Sequence, residues 1–158
     1  MIRALILDRD GLIVHHSKDP ASPFYYIGDA QDLILKPNVK TAFALIASLA
    51  QHHDLKVVLA TKQRCISKGL ITRKHLDIMH DQLQIQLDYW FDAIYVEESA
   101  SDKGNLFAAI IQDLAIPAPD ILVLDDSATE CEVARTLGLM AIQTEDLYAA
   151  ICRQFDIT

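Results

Sequence analysis

Two pairs of acidic residues stand directly after apolar runs of this 158-residue chain. Asp8 and Asp10 follow the first apolar run. Asp125 and Asp126 follow a later run, Ile-Leu-Val-Leu. Carboxylates that are crowded at the ends of buried strands repel one another, and a divalent cation such as magnesium removes that cost. The acids therefore indicate a magnesium site, although each pair taken alone also fits an ordinary turn or a helix cap.

Thr61 and Lys103 could hold a phosphate beside such a cation. Thr61 ends the apolar run 55–60, and a hydroxyl next to the amides of a turn can bind phosphate oxygens. Lys103 stands at the predicted start of a helix, where the positive end of the helix dipole disfavours a cation. A phosphate or a group of aspartates would offset that repulsion. On their own, these two residues also fit a strand terminator and a solvated surface lysine.

Short apolar runs alternate with longer amphipathic ones along the chain. The pattern predicts buried strands at 2–7, 55–60, 93–96, 121–124 and 139–142. It predicts helices, the first with Pro37 in its opening turn, at 38–53, 72–90, 103–114, 127–137 and 145–155. This alternation predicts one α/β domain over 1–158, with a central parallel sheet of about five strands and helices on both faces. Residues 12–36 carry Pro20, Pro23 and Gly28, and we expect them to form an irregular flap.

The polar residues singled out above all follow strands or open helices of this sheet. Ligands of open parallel sheets bind beyond the carboxyl ends of the strands, so we expect these side chains to meet there. Ser127, directly after Asp126, and Glu130, three residues further on, fit a capping box that opens the fourth helix. The predicted site therefore lies at one edge of the sheet.

The order of these residues resembles the four motifs of the haloacid dehalogenase superfamily of phosphohydrolases. The matching segments are Asp8-Arg9-Asp10-Gly11, Thr61, Lys103 and Asp125-Asp126 with the following Ser127-Ala128-Thr129-Glu130. The resemblance extends from the first strand to about Ile142 and implies a three-layer Rossmann-like fold. The intervals before the second and third motifs are too short for a cap domain, so we expect an open site.

The resemblance implies a two-step reaction. Asp8 is expected to be the nucleophile that forms an aspartyl-phosphate. Asp10 is expected to protonate the leaving alkoxide and then to activate the water that hydrolyses the intermediate. The phosphoryl oxygens are expected to be held by Thr61, Lys62 and Lys103.

The resemblance also implies a magnesium site and its ligands. Magnesium is expected to be held by the Asp8 carboxylate, the Asp10 backbone carbonyl and the Asp126 carboxylate. Asp125 stands where many relatives carry glycine, and it is expected to support the ligands together with Glu130.

The first two motifs are similar to those of the histidinol-phosphate and heptose-bisphosphate phosphatase branch, with Lys62 where that branch commonly has Asn. The segment 96–101 lacks the Cys and His of that branch's zinc loop, so no zinc is expected. The resemblance implies hydrolysis of a small phosphorylated metabolite such as a sugar phosphate. A protein phosphatase with an open site and a non-catalytic phosphate-binding regulatory protein are the alternatives.

The net charge and the lengths of the apolar runs limit which partners and which compartment we expect. A formal net charge of −8 disfavours nucleic acid and acidic membranes, because phosphate-rich surfaces bind basic proteins. The N-terminal apolar run is too short for a signal peptide, and no run approaches the ~18 apolar residues of a membrane span. We therefore expect a cytoplasmic protein without a membrane partner. The six histidines are interpreted as solvated or packing residues, although His15, His16 and Lys18 could touch the substrate.

Overall fold

The computed structural model describes residues 1–17 and 26–158. One parallel sheet contains β1 (Ala4–Leu7), β2 (Lys56–Lys62), β3 (Ala93–Glu97), β4 (Ile121–Asp125) and β5 (Met140–Gln143), in the order β3-β2-β1-β4-β5. The described residues also form α1 (Val39–His53), α2 (Arg64–Ser67), α3 (Arg73–Leu87), α4 (Gly104–Leu114), α5 (Ala128–Thr136) and α6 (Leu147–Gln154). None of these helices has both the length and the apolar composition needed to cross a membrane. The predicted five-stranded parallel α/β fold is confirmed.

β1 occupies the centre of the sheet, with β2 on one side and β4 on the other. Leu7 is level with Leu59 of β2 and with Leu124 of β4. Because parallel strands point the same way, the residues that follow these positions emerge at the same edge of the sheet. This register brings Asp8 next to Asp125 although they are far apart in the sequence.

Each face of the sheet is covered by helices. Successive residues of β1 point to opposite faces, as the two-residue period of a strand requires. Leu5 and Leu7 pack with the buried side chains of α1, α3 and α6. Ala4 and Ile6 pack on the other face with those of α4 and α5. The central strands are therefore nearly continuous apolar runs, because both of their faces are buried.

The interval 12–36 begins in the core. Leu12, Ile13 and Val14 are fully buried in the cluster that α1 and α3 share, and a short 3-10 turn follows at Ala30–Asp32. Residues 18–25, which include Lys18 and the two prolines of the interval, lie outside the described residues. A single domain with a flap over this interval stays a prediction.

Element boundaries differ from the sequence prediction at several points. α1 begins at Val39 because Asn38 has left-handed backbone (φ 63°), so the placement of Pro37 in the first helical turn is wrong. α3 ends at Leu87, three residues before the predicted end, because Asp88 is left-handed with φ 51°. α2 was not predicted, since four residues are too few to show a helical period. β2 runs on to Lys62, which places Thr61 within the strand rather than after it.

Candidate active site

A cavity with a volume of about 300 Å³ lies at the carboxyl edge of the sheet. Its lining includes every predicted site residue except Thr61, namely Asp8, Asp10, Lys62, Lys103, Asp125, Asp126 and Glu130. The sequence did not single out the remaining lining residues as catalytic, and these are His16, Tyr26, Gln63, Arg64, Cys65 and Ser127. The fold thus gathers residues from four distant segments around one space.

The Lys103 side chain connects the ends of β1 and β4. Its Nζ donates a hydrogen bond of 2.7 Å to Asp8 Oδ1 and another of 2.7 Å to Asp125 Oδ2. All three residues are buried. Burial by itself lowers the pKa of a lysine, but the two carboxylates outweigh it and raise the pKa of Lys103. These aspartates are the compensation that a lysine at the start of α4 requires.

Negative charge exceeds positive charge around Asp8. Burial raises the pKa of Asp8 well above its ordinary value, and the repulsion from Asp125 adds to this effect against the opposing attraction of Lys103. Carboxylate oxygens of Asp8, Asp125 and Asp126 lie within 4.8 Å of one another, and in the described part of the chain the Lys103 ammonium is the one that bonds to Asp8 and Asp125. This imbalance is what a divalent cation would remove.

The free oxygens of this cluster identify the ligands that could hold such a cation. Both oxygens of Asp125 are engaged, Oδ2 by Lys103 and Oδ1 by the backbone N–H of Ser127 at 2.9 Å. Asp8 Oδ2 and Asp126 Oδ1, in contrast, accept no hydrogen bond from any residue that the structure describes. Hard carboxylate oxygens are the ligands that magnesium prefers, so the donor set fits this ion. Asp8 and Asp126 are the carboxylates available to bind it.

Asp10 has a different environment. Arg9 donates from Nε to Asp10 Oδ1 at 2.9 Å and from Nη2 to Oδ2 at 3.1 Å. Gln63 Nε2 donates to the same Oδ2 at 2.9 Å. Burial alone would raise the pKa of Asp10, but the charge of Arg9 and these hydrogen bonds outweigh it and lower the pKa. Asp10 is thus held as an oriented carboxylate at the cavity wall.

Arg9 is itself fully buried, and its Nη1 lies 3.2 Å from Nε2 of His80 on α3. A guanidinium can only donate hydrogen bonds, so Nε2 must be the acceptor and the ring proton must lie on Nδ1. Burial, followed by the charge of Arg9, lowers the pKa of His80 to about 3. Nδ1 has no hydrogen-bond partner among the described residues. His80 is therefore neutral in the folded protein. Its buried Nδ1–H, which no described residue accepts, costs about 1–3 kcal/mol to leave unpaired.

Thr61, predicted to touch phosphate, does not line the cavity. Its side chain is buried, and its Oγ1 accepts a hydrogen bond of 2.8 Å from Gln63 Nε2. Because Oγ1 is the acceptor of that bond, its own hydroxyl hydrogen remains available to another acceptor. Gln63 is the side chain that reaches the cavity at this point and joins Thr61 to Asp10.

Glu130 connects α5 to the start of α4. Its Oε2 accepts the backbone N–H of Lys103 at 2.9 Å, and its Oε1 accepts from Lys62 Nζ at 3.2 Å. The capping box predicted for α5 is half formed: Ser127 Oγ accepts the Glu130 N–H at 3.3 Å, but the Ser127 N–H bonds to Asp125. The predicted reciprocal bond is wrong because the Glu130 carboxylate is used to fix the lysine that faces Asp8.

Gly11 makes room for the side chains of Asp126 and His16. Its φ of +94° lies in the region that favours glycine, and a Cβ atom there would collide with both side chains. His16 Nε2 lies 2.7 Å from Asp126 Oδ2, and the Gly11 carbonyl accepts a hydrogen bond of 2.8 Å from Lys36 Nζ. The loop after β1 is thereby fixed close to Asp126.

Arg9, Gln63 and His80 contact one another or Asp10 at the site, but no motif in the sequence indicated a catalytic or binding role for them. Arg9 is the middle residue of the first motif, whose pattern leaves that position open. His80 lies four residues after Leu76 and three before Leu83, both of which are buried. This spacing puts it on the apolar face of α3, which is the signal that could have marked it as a buried histidine.

The sequence matches no family model and no curated protein, but its structure resembles solved ones. The D,D-heptose 1,7-bisphosphate phosphatase of B. bronchiseptica, solved with magnesium and phosphate, has a TM-score of 0.77 and 22% identity, over 99% of this chain and 100% of the other. The corresponding enzyme of Burkholderia thailandensis has a TM-score of 0.58 and 22% identity, over 87% of this chain and 74% of the other.

A third similar structure widens the comparison beyond heptose-bisphosphate phosphatases. It is a haloacid dehalogenase family enzyme from Bacteroides thetaiotaomicron, solved with magnesium and inorganic phosphate. Its TM-score is 0.56 at 14% identity, with 90% of this chain and 94% of the other covered. The protein therefore has the fold of the haloacid dehalogenase-like phosphatases, which confirms the fold that the motifs implied.

Proposed function

We propose that this protein is a magnesium-dependent phosphatase, a phosphoric monoester hydrolase, and that it acts on a small phosphorylated metabolite such as a sugar phosphate. The observation that carries the proposal is the buried Lys103 ammonium that bridges Asp8 and Asp125 beside an acid-lined cavity. The fold shared with a D,D-heptose 1,7-bisphosphate phosphatase solved with magnesium and phosphate supports it. The cavity of about 300 Å³ suits a small substrate.

Asp8 is the nucleophile of the proposed first step. Its carboxylate oxygen attacks phosphorus, and the bond from phosphorus to the ester oxygen breaks as the new bond forms. The leaving alkoxide takes a proton from Asp10, whose pKa rises again when a substrate brings negative charge into the cavity. Lys103 and Lys62 offset the charge on the phosphoryl oxygens, and Thr61 supports the cavity wall through its hydrogen bond with Gln63.

Asp10 is the base of the proposed second step. A water molecule gives one proton to the Asp10 carboxylate, and its oxygen attacks the phosphorus of the aspartyl-phosphate. The bond from phosphorus to Asp8 breaks, and its electron pair restores the Asp8 carboxylate. Inorganic phosphate is released, and Asp10 holds the proton that the next substrate needs.

Magnesium would be held by the carboxylates of Asp8 and Asp126 and by the backbone carbonyl of Asp10. When bound, the ion supplies positive charge that favours ionised Asp8 and offsets the charge of the phosphoryl group. Asp125 and Glu130 would support these ligands through their hydrogen bonds at the starts of α5 and α4. The excess of negative charge around Asp8 supports this assignment.

Hydrolysis of p-nitrophenyl phosphate in the presence of magnesium tests the proposal. We expect turnover that excess chelator abolishes, and an Asp8→Asn variant that loses at least about 10³-fold in kcat, because the nucleophile is gone. Asp81→Asn, which makes the same exchange at an exposed position of α3, is the matched control and should keep its activity. Full activity of Asp8→Asn, or of the enzyme in excess chelator, would contradict the proposed mechanism.

A further inference from the structure

We propose that Arg9 and His80 position the Asp10 carboxylate for breakdown of the aspartyl-phosphate, so that a contact between the loop after β1 and α3 sets the rate of turnover. Both are positioning residues: Arg9 acts through Asp10, and His80 acts through Arg9. This inference rests on the proposed function. It adds two residues that affect the rate of turnover and that are neither the nucleophile, nor metal ligands, nor phosphate-binding residues.

The geometry around Asp10 is that of a fixed hydrogen-bond acceptor. Arg9 binds both carboxylate oxygens through two N–H groups of one planar guanidinium, which fixes the plane of the carboxylate. Gln63 adds a third donor on Oδ2. The Asp10 side chain is still 25% exposed, so one side of it remains open to the cavity for a water molecule. Orientation of this kind is what a base needs in order to take a proton from that water.

The position of Arg9 depends in turn on His80. Arg9 has no exposed surface, and its Nη1 finds its acceptor in His80 Nε2, from a helix 71 residues further along the chain. His80 is buried as well, and its Nδ1 has no partner within the described part of the chain. Its single hydrogen-bonding contribution is therefore the acceptor it offers to Arg9. Because His80 belongs to α3, this contact makes α3 part of the positioning of Asp10.

The two chemical steps place different demands on Asp10. With p-nitrophenyl phosphate the leaving group departs without a proton, so formation of the aspartyl-phosphate does not need Asp10. Hydrolysis of the intermediate still needs it as a base. A loss of orientation should therefore slow the second step and spare the first, which a general loss of structure would not do.

Arg9→Lys is the central variant, because lysine keeps the charge and loses the planar pair of donors. With p-nitrophenyl phosphate and magnesium we expect kcat to fall about ten- to a hundredfold and KM to fall by a similar factor. kcat/KM should stay within roughly threefold of the wild-type value, and rapid mixing should show a burst of about one p-nitrophenolate per active site. Arg73→Lys, at an exposed Arg–Asp pair of α3, is the matched control and should change none of these values.

A pair of substitutions at His80 provides an independent test that leaves the first motif intact. His80→Gln can present an oxygen acceptor to Arg9, and His80→Met cannot, although both remove the ring. We expect His80→Met to show the burst and the joint fall of kcat and KM. His80→Gln should keep wild-type kinetics. If Arg9→Lys does not fold, as judged by circular dichroism, this pair decides the question.

Different results would reject the positioning role of Arg9 and His80 and the proposed function. Equal losses of kcat and kcat/KM without a burst in Arg9→Lys, or identical kinetics of the two His80 variants, would overturn the positioning role. Asp10→Asn serves as the reference, because it lacks the base altogether and should show the burst most strongly. If Asp10→Asn turns over normally, the proposed function fails, whatever the Arg9 and His80 variants do.

Discussion

Asp8 and Asp10 are separated by one residue, yet their surroundings are opposite in charge. Asp8 lies in a cluster of acids that shares one lysine, and burial with the repulsion of Asp125 raises its pKa. Asp10 is matched by the guanidinium of Arg9, and its pKa is lowered. One side of the first motif thus carries uncompensated negative charge, and the other side is balanced.

The difference indicates how the two carboxylates divide the proposed work. The unbalanced side suits a divalent cation, which would favour the ionised form of Asp8 that a nucleophile requires. The balanced side needs no metal, because Arg9 and Gln63 already orient Asp10. Both residues lie beyond β1, and their contacts distinguish them: Asp8 bonds to Lys103, and Asp10 bonds to Arg9 and Gln63.

Of the substitutions that test this contrast, removal of Lys103 should have the largest effect, because Lys103 is the cation that bonds to both Asp8 and Asp125. Lys103→Met leaves Asp8 and Asp125 buried and facing each other without the ammonium that bridges them. We expect a loss of about 3–5 kcal/mol in the free energy of unfolding and of at least about 10²-fold in kcat. Urea denaturation and hydrolysis of p-nitrophenyl phosphate measure the two effects.

The double variant Lys103→Met with Asp125→Asn is the control for charge. It removes one of the two buried carboxylates that the lysine neutralises, so part of the lost stability should return. Activity should not return, because the phosphoryl group still lacks its cation. Wild-type stability of the single Lys103→Met variant would contradict the description of this side as unbalanced.

Asp126→Asn should weaken metal binding without disturbing the Asp10 side. Asp126 Oδ1 is one of the free oxygens assigned to magnesium, and the amide removes its charge. We expect the magnesium concentration for half-maximal activity to rise about 10- to 100-fold, with Asp81→Asn as the unaffected control. A magnesium titration of activity, supported by calorimetry of magnesium binding, measures the shift. An unchanged requirement would remove Asp126 from the ligand set.

The balanced side predicts a smaller effect, on stability at low pH. The pKa of His80 is about 3 in the folded protein against 6.5 for an ordinary histidine, so between these values only the unfolded chain binds the proton. The free energy of unfolding should therefore fall as the pH decreases through this window, by up to about 1.4 kcal/mol per pH unit from this residue. His80→Gln should show a correspondingly weaker dependence in urea denaturation between pH about 6.5 and about 4.5. Parallel curves for the two proteins would contradict the burial of a neutral His80.

The sheet and the position of the site could be predicted because they depend on local patterns. Apolar runs mark the strands, and the ends of parallel strands coincide, so Asp8, Lys103 and Asp125 could be expected to meet. The contact between Arg9 and His80 could not be predicted. It joins residues 71 positions apart through tertiary packing, and no local pattern specifies such a pair.

Side chains that serve two elements also escaped prediction. Glu130 fits a capping box by its spacing, but its carboxylate bonds to the backbone of Lys103, which directly precedes another helix. Asn38 adopts left-handed backbone before α1, which the Pro37 signal did not indicate. For Glu130 a tertiary contact overrides the local preference, and for Asn38 the way the chain enters α1 overrides it.

The most direct test of the account is to locate the phosphoryl group on the enzyme. Asp10→Asn, mixed with p-nitrophenyl phosphate and magnesium and then quenched in acid, should accumulate the intermediate, because the leaving group needs no acid and hydrolysis needs the base. Mass spectrometry of the digested protein should find one phosphoryl group, on the peptide that contains Asp8 and at that residue. A phosphoryl group on another residue, or none while the wild-type enzyme turns over, would contradict the assignment of Asp8 as the nucleophile.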